Sequence, residues 1–219
     1  MFVVLDGFVP PLIVILTTAV LLWFRHSYVN RHGGYASGAN AAVVIGLVLL
    51  TATLELGMGR PVAYKNGPLR LWVGDVNSDQ NSQQLLDPYS FTHVVHGALF
   101  YALTRAVMGP ASVGARTAVA VALESAWEAY ENTDTVINRY RSVTIALGYF
   151  GDSVTNSMVD IVACLIGFVL AYRLPWRWTV AWVVVTEIAL ALTIRDNLTL
   201  NIIMLIRPIE AIKRWQQGG

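Results

Sequence analysis

SVTNSMVDIVACLIGFVLAY, residues 153–172, is a run of twenty in which Asp160 is the only charged side chain. A helix needs about 20 mostly apolar residues to cross the hydrocarbon core of a bilayer, so this run reads as a membrane span with an acid about two turns inside. Five further runs of similar character flank it: Phe8 to Phe24, Ala39 to Met58, Pro88 to Met108, Ala111 to Glu131 and Trp176 to Ile194. Proline at positions 10 and 11 suits the start of the first, because its missing donor would be unpaired there anyway.

Composition agrees. The chain is 55% hydrophobic and 13% charged, against about 25% charged for a soluble domain, and its mean hydropathy is +0.54. The expected architecture is all-α: a single polytopic transmembrane helix bundle over residues 1–219 with about six spans. It divides into an extra N-terminal span at 8–24, a polar loop at 59–87, a core bundle at 88–194 and a tail at 197–219 forming a short interfacial or re-entrant helix, with Arg207, Lys213, Arg214 and Trp215 at headgroup level. The polar loop must sit in water or fold over the helix ends, since irregular backbone facing lipid is too costly. A second polar connection runs from Asn132 to Asp152. Met1 to Gly7 carries Asp6 and no basic residue, which reads as a retained anchor and not as a signal peptide.

Fifteen basic against fourteen acidic residues give no concentrated positive surface, so nucleic acid is not expected as a partner. The partner implied is the lipid bilayer; protein partners are unknown. Cys164, the single cysteine, cannot close an intramolecular disulfide and reads as a small packing residue.

Alternating direction of consecutive spans sorts the ionisable residues by membrane face. One face receives Glu55, Asp87, His93, His96, Glu124, Glu128, Glu131, Asp152, Asn156, Asp160, Arg195 and Asp196; the other receives Arg25, His26, Arg31, Arg105, Arg116, Arg173 and Arg177, with no acid in its three connections. The positive-inside tendency makes the basic face cytoplasmic and puts the polar cluster and both termini outside. Arg60, Lys65, Arg70 and the basic tail weigh the other way.

His93 and His96 are three residues apart, hence stacked on one helical face. They could chelate a metal, act as an acid and base pair, or be plainly hydrogen-bonded near a helix start that Asp87 caps and Pro88 opens. Glu124, Glu128 and Glu131 form one stripe, and an acid at the centre of a membrane helix costs at least about 2.5 kcal/mol. They need partners: a cation, the histidines, or Arg139 and Arg141. Asp152, Asn156 and Asp160 form a third stripe, continued by Cys164, in which Asp152 or Ser153 suits the N-cap and Asp160 is left unexplained.

Together these stripes describe how helix bundles build interior metal or acid–base sites. The expected catalytic residues are Glu128, Glu124 and Asp160; the expected metal ligands are His93, His96, Glu128 and Asp160; Arg139, Arg141, Asp152 and Asn156 would hold substrate. A divalent metal is the expected cofactor, Mg²⁺ or Mn²⁺ from the oxygen ligands and Zn²⁺ or Fe from the histidines. Three functions fit: a metal-dependent hydrolase or transferase acting on a lipid or lipid-linked headgroup, a proton- or cation-coupled transporter, or a structural or assembly protein whose polar network only specifies packing.

The run Asn81-Ser82-Gln83, then Asp87 through His93 and His96 to Gly97, resembles uncharacterised protein family 0314 (domain of unknown function 2585), a family of bacterial multi-pass membrane proteins. Glu124 with Trp127-Glu128 and Glu131-Asn132, Asn138-Arg139-Tyr140-Arg141, Gly151-Asp152-Ser153, Asn156-Ser157, Asp160 and Arg195 to Asn201 extend the likeness over roughly residues 57–216. The resemblance implies a bacterial cell (inner) membrane location and no established activity. Cysteines that it implies after a Gly-Arg pair are missing where Gly59-Arg60 leads into Pro61-Val62-Ala63-Tyr64, so a cysteine-based role has no support. The helix order is also loosely similar to the VanZ-like group of small membrane proteins.

Overall fold

Ser112, Thr133, Ser153 and Asn197 each accept a backbone N–H on a side-chain oxygen at the start of a helix, satisfying donors that no preceding turn can reach. These caps belong to an all-helical computed structural model that describes residues 7–32, 36–144 and 148–218. Among them the helices are α1 (Val9–His32), α2 (Ala36–Gly57), α3 (Ser90–Val107), α4 (Val113–Glu131), α5 (Asp134–Val143), α6 (Val154–Arg173), α7 (Trp176–Ile194), α8 (Leu198–Ile206) and α9 (Glu210–Gln216). Residues 1–6, with Asp6, lie outside the described residues, as does the side chain of Arg31.

Among the described residues four helices are long and apolar enough to cross a membrane: Val9–Tyr28 within α1, Gly38–Gly57 within α2, and all of α6 and α7. The other two expected spans form as helices, α3 with 18 residues and α4 with 19, but they are too polar to qualify. The packing explains why they tolerate it. α4 contacts α1, α2, α3 and α6 and buries ten of its residues, Glu124, Ser125 and Glu128 included, so its polar stripe meets protein and not lipid. By contrast α7 buries only Leu190, the pattern of a helix apolar on every side.

The most extensive helix pair is α3 with α6. Gly97 and Gly167 make it so: a Cβ on Gly97 would stand 1.9 Å from the Cys164 carbonyl oxygen, and one on Gly167 1.9 Å from that of Val94. Small residues let membrane helices approach this closely. Cys164 itself is buried.

The 59–87 loop folds over the helix ends. Val154 N–H and Thr155 N–H donate to the carbonyls of Pro61 and Val62 (2.9 and 3.0 Å), and Ser153 N–H donates to that of Ser82 (2.8 Å). The loop thereby occupies the free donors that open α6. Helix α3 starts at Ser90, two residues after the expected Pro88, because Asp87 accepts Tyr89 N–H (2.7 Å) and Ser82 N–H (2.8 Å) in a turn of its own. The second polar connection contains α5, an amphipathic helix that buries Val136, Ile137, Tyr140 and Val143. The tail is two short helices, with Pro208 between them barring a continuous one.

Candidate functional site

Glu124 of α4 lies between the two imidazoles of α3. Its Oε1 is 2.5 Å from His93 Nδ1 and its Oε2 is 3.0 Å from His96 Nδ1. One turn on, Glu128 Oε1 is 3.2 Å from His93 Nδ1. From α6, Asp160 Oδ2 is 3.9 Å from His93 Nε2. The three stripes expected on separate helices do converge, with His93 at their centre.

Two overlapping sets of ligand atoms result, His93–His96–Glu124 and His93–Glu128–Asp160, each with its atoms within 4.8 Å of one another. All five side chains are buried, Glu124 and Glu128 completely. Neither Glu128 oxygen has a hydrogen-bond partner of good geometry, nor does Asp160 Oδ1. Buried polar atoms are nearly always paired, so orphans of this kind mark a place where something else binds. Imidazole with carboxylate is a donor set for Zn²⁺, Fe or Mn²⁺.

A cavity of about 60 Å³ adjoins the cluster. His93, His96 and Asp160 line it on one side, and Glu131, Asp152, Asp196, Tyr89, Tyr140, Tyr149 and Trp127 are among its other walls; no lysine or arginine lines it. Asp152 accepts from Asn132 Nδ2 and Tyr149 Oη, each at 3.1 Å, while its own N–H donates to Asn132 Oδ1 at 2.7 Å. Asp196 accepts from Asn197 N–H (2.9 Å), Tyr89 Oη (3.1 Å), Gln216 Nε2 (3.1 Å) and Asn201 Nδ2 (3.3 Å). Burial nevertheless dominates at both, pushing each carboxyl up to about 6. Asp87, beneath the loop, is raised for the same reason.

Other residues singled out in the sequence have different places. Asn156 Nδ2 donates to the Gln84 carbonyl, and Asn156 is not among the cavity walls. Arg139 donates through Nε and Nη2 to the Leu205 carbonyl (3.1 and 2.9 Å) at the end of α8. Arg141 donates to the Tyr149 carbonyl. Neither guanidinium lines the cavity. Glu131 does line it, with Tyr149 Oη 3.4 Å from its Oε1. Glu55, on α2, is fully buried with neither oxygen well hydrogen-bonded.

The aromatic walls were not anticipated. Tyr89, Tyr140 and Tyr149 lie in or beside the connections, where no periodicity points them anywhere. Glu187 was missed as well. It reaches from α7 to accept the Leu198 and Thr199 N–H groups (3.1 and 3.0 Å) that open α8, and a lone acid in an apolar run gives no sign of that partner.

Comparison with known proteins places these residues in a shared framework. Residues 55–218 match a family model described as "Protein of unknown function (DUF2585)", a span that contains all five clustered residues. The chain is 47% identical over 177 residues to a UPF0314 protein of Sphingopyxis alaskensis, covering 81% of this chain and 94% of that one. It is 46% identical over 174 residues to a UPF0314 protein of Rhizobium meliloti (80% and 88%), and 46% identical over 170 residues to one of Paracoccus denitrificans (78% and 88%). No solved structure matches.

Proposed function

The chain belongs to the DUF2585 (UPF0314) family, and from the chemistry of its buried cluster we propose that it is a membrane-embedded, metal-dependent hydrolase or transferase acting on a lipid or lipid-linked headgroup. One observation carries this reading: two histidines and three carboxylates from α3, α4 and α6 bring ligand atoms within 4.8 Å in each of two triads sharing His93, and three of the carboxylate oxygens have no hydrogen-bond partner. His93, His96, Glu124, Glu128 and the Asp160 oxygen turned to His93 would hold a divalent cation, which would satisfy the Glu128 oxygens and offset the desolvation of the carboxylates. Glu124 and His96 would serve as ligands, Glu128 and Asp160 as ligand or as general base toward an attacking water, and the cation would supply Lewis-acid activation. The adjoining cavity supplies the place for the headgroup, with Asp152 in its wall.

The protein sits in a bacterial inner membrane with this cluster toward the non-cytoplasmic face. Support comes from Arg25, Arg105, Arg116, Arg173 and Arg177 at the opposite helix ends.

Elemental analysis of the purified, chelator-washed protein tests the reading. One transition metal ion per chain is expected, falling below a tenth of that in His96→Ala and Glu128→Ala. A metal-free wild type that cannot be loaded with Zn²⁺, Mn²⁺ or Fe²⁺ would leave the cluster as a packing device only.

A further inference from the structure

Beside the polar cavity runs a second, apolar hollow of about 640 Å³ between α5 and α8. Trp127, Ile202 and Leu205 belong to the walls of both, so these three side chains are the partition between them. On the far side, Tyr130, Val136 and Ile206 continue the apolar surface. Ile202 is 43% exposed and Ile206 78%, so the hollow opens outward along the apolar side of α8. Its size is that of a small-molecule site.

The polar cavity has a definite electrostatic character. Glu131, Asp152, Asp160 and Asp196 face it together with His93 and His96, and among the described residues no lysine or arginine lines it. Asp160 is 4% exposed and its Oδ1 has no hydrogen-bond partner. Tyrosine and tryptophan rings are among the other walls, and their faces attract cations. About 60 Å³ holds a few water-sized groups, since about 10–15 Å³ is enough to admit one water. That admits an ammonium group and its adjoining methylene, whereas a phosphate would meet three or four carboxylates.

We propose that the site's substrate is a cationic amphiphile: a primary ammonium group seated in the acidic cavity against Asp160, Asp152 and Asp196, and a hydrocarbon chain lying in the α5–α8 groove, reached sideways from the bilayer. This rests on the reading of the cavity as the headgroup's place beside the metal. Arg139 lines the polar edge of the groove with Asn138 and Ser142, where its guanidinium is held on the Leu205 carbonyl, and it is not among the walls of the acidic cavity. The partition residues Trp127, Ile202 and Leu205 would lie against the first methylenes of the chain.

The full-length protein in phosphatidylcholine nanodiscs is photolabelled with three probes that share a 16-carbon chain and a terminal diazirine: an alkylamine, an alkyl phosphate and an alcohol. Cross-links are mapped by mass spectrometry and bound metal is measured on the same samples. The expected result is at least tenfold more labelling by the amine than by either other probe on peptides containing Val136 or Ile202 to Ile206. Ile202→Trp, which fills the groove, and Glu131→Gln, which removes an acidic group from the cavity, should each cut that labelling about tenfold with metal content unchanged. Equal labelling by the three probes, a preference for the phosphate, or cross-links confined to α7 overturns the proposal, and the wild-type comparison decides this without either variant. Stoichiometric metal without amine preference sinks this inference alone; amine preference in a protein that cannot bind metal sinks the metal-dependent reading and leaves the cationic site standing.

Discussion

Gly97 and Gly167 hold α3 and α6 main chain against main chain, each occupying a spot where a methyl group would come within 1.9 Å of the other helix's carbonyl oxygen. Neither carbonyl can rotate away without breaking its own helix. Gly97→Ala or Gly167→Ala should therefore lower stability by about 3 kcal/mol, read as a fall in the detergent melting temperature. Bound metal should fall with it, since His93 and His96 sit within one turn of Gly97. A wild-type melting temperature in both variants would mean that the helices cross elsewhere.

Metal removal gives a second expectation. An ion that binds only the folded chain stabilises it by about 2.7 kcal/mol when present at a hundred times its dissociation constant. Chelation should lower the melting temperature accordingly and re-addition restore it, whereas Glu124→Gln, which takes the bridging charge from between His93 and His96, should abolish the response.

Asp196 and Asp152 make stability depend on pH. Each has its carboxyl pushed up to about 6 by burial, against about 3.9 in an unfolded chain. The native state therefore binds the proton more tightly, and the unfolded state releases it first. Stability is fully present below about pH 4 and is lost as pH rises from about 4 to about 6, by roughly 3 kcal/mol for each group. Thermal unfolding between pH 4 and 7.5 should show this fall, and Asp196→Asn should remove about half of it. A melting temperature that rises across the window would show that both carboxyls are charged when folded.

Glu187 fixes the start of α8. Its carboxylate accepts two N–H groups that no turn of α8 can satisfy. Glu187→Ala should cost about 1 to 2 kcal/mol, and proteolysis after Arg207 should quicken. Glu187→Gln keeps an acceptor oxygen and should lose less than half as much.

Arg139 fixes the other end of the same helix through the Leu205 carbonyl. Arg139→Ala should lower stability by about 1.5 kcal/mol without changing metal stoichiometry. If it lowers activity on a lipid substrate while the melting temperature stays constant, Arg139 touches substrate after all.

Periodicity in a membrane chain reports which residues share a helix face, and that much was readable here. The four-residue step from Glu124 to Glu128, the three-residue step from His93 to His96, and Asp160 alone inside an apolar run were enough to expect their meeting. Contacts that depend on two distant segments left no trace of this kind. Nothing in the sequence around Gly97 says that Gly167 faces it, and nothing at Arg139 says that a carbonyl sixty-six residues away is its acceptor. The helix α5 was hidden because a ten-residue amphipathic stretch in a polar connection reads like loop. Of the six expected spans, α3 and α4 have the length but not the apolarity of the other four, and their polarity is tolerable because neighbours surround them.

That sheathing bears on biosynthesis. Helix α4 emerges from the ribosome ahead of α6, the helix that carries Asp160, and is less apolar than the four helices long and apolar enough to cross a membrane. Glu124 and Glu128 must be sheltered until the later segments arrive, so the insertion machinery has to retain the half-made protein at its lateral gate. Truncating the message before residue 154 should yield a nascent chain that is degraded or extracted, not a stable fragment of α1 to α5.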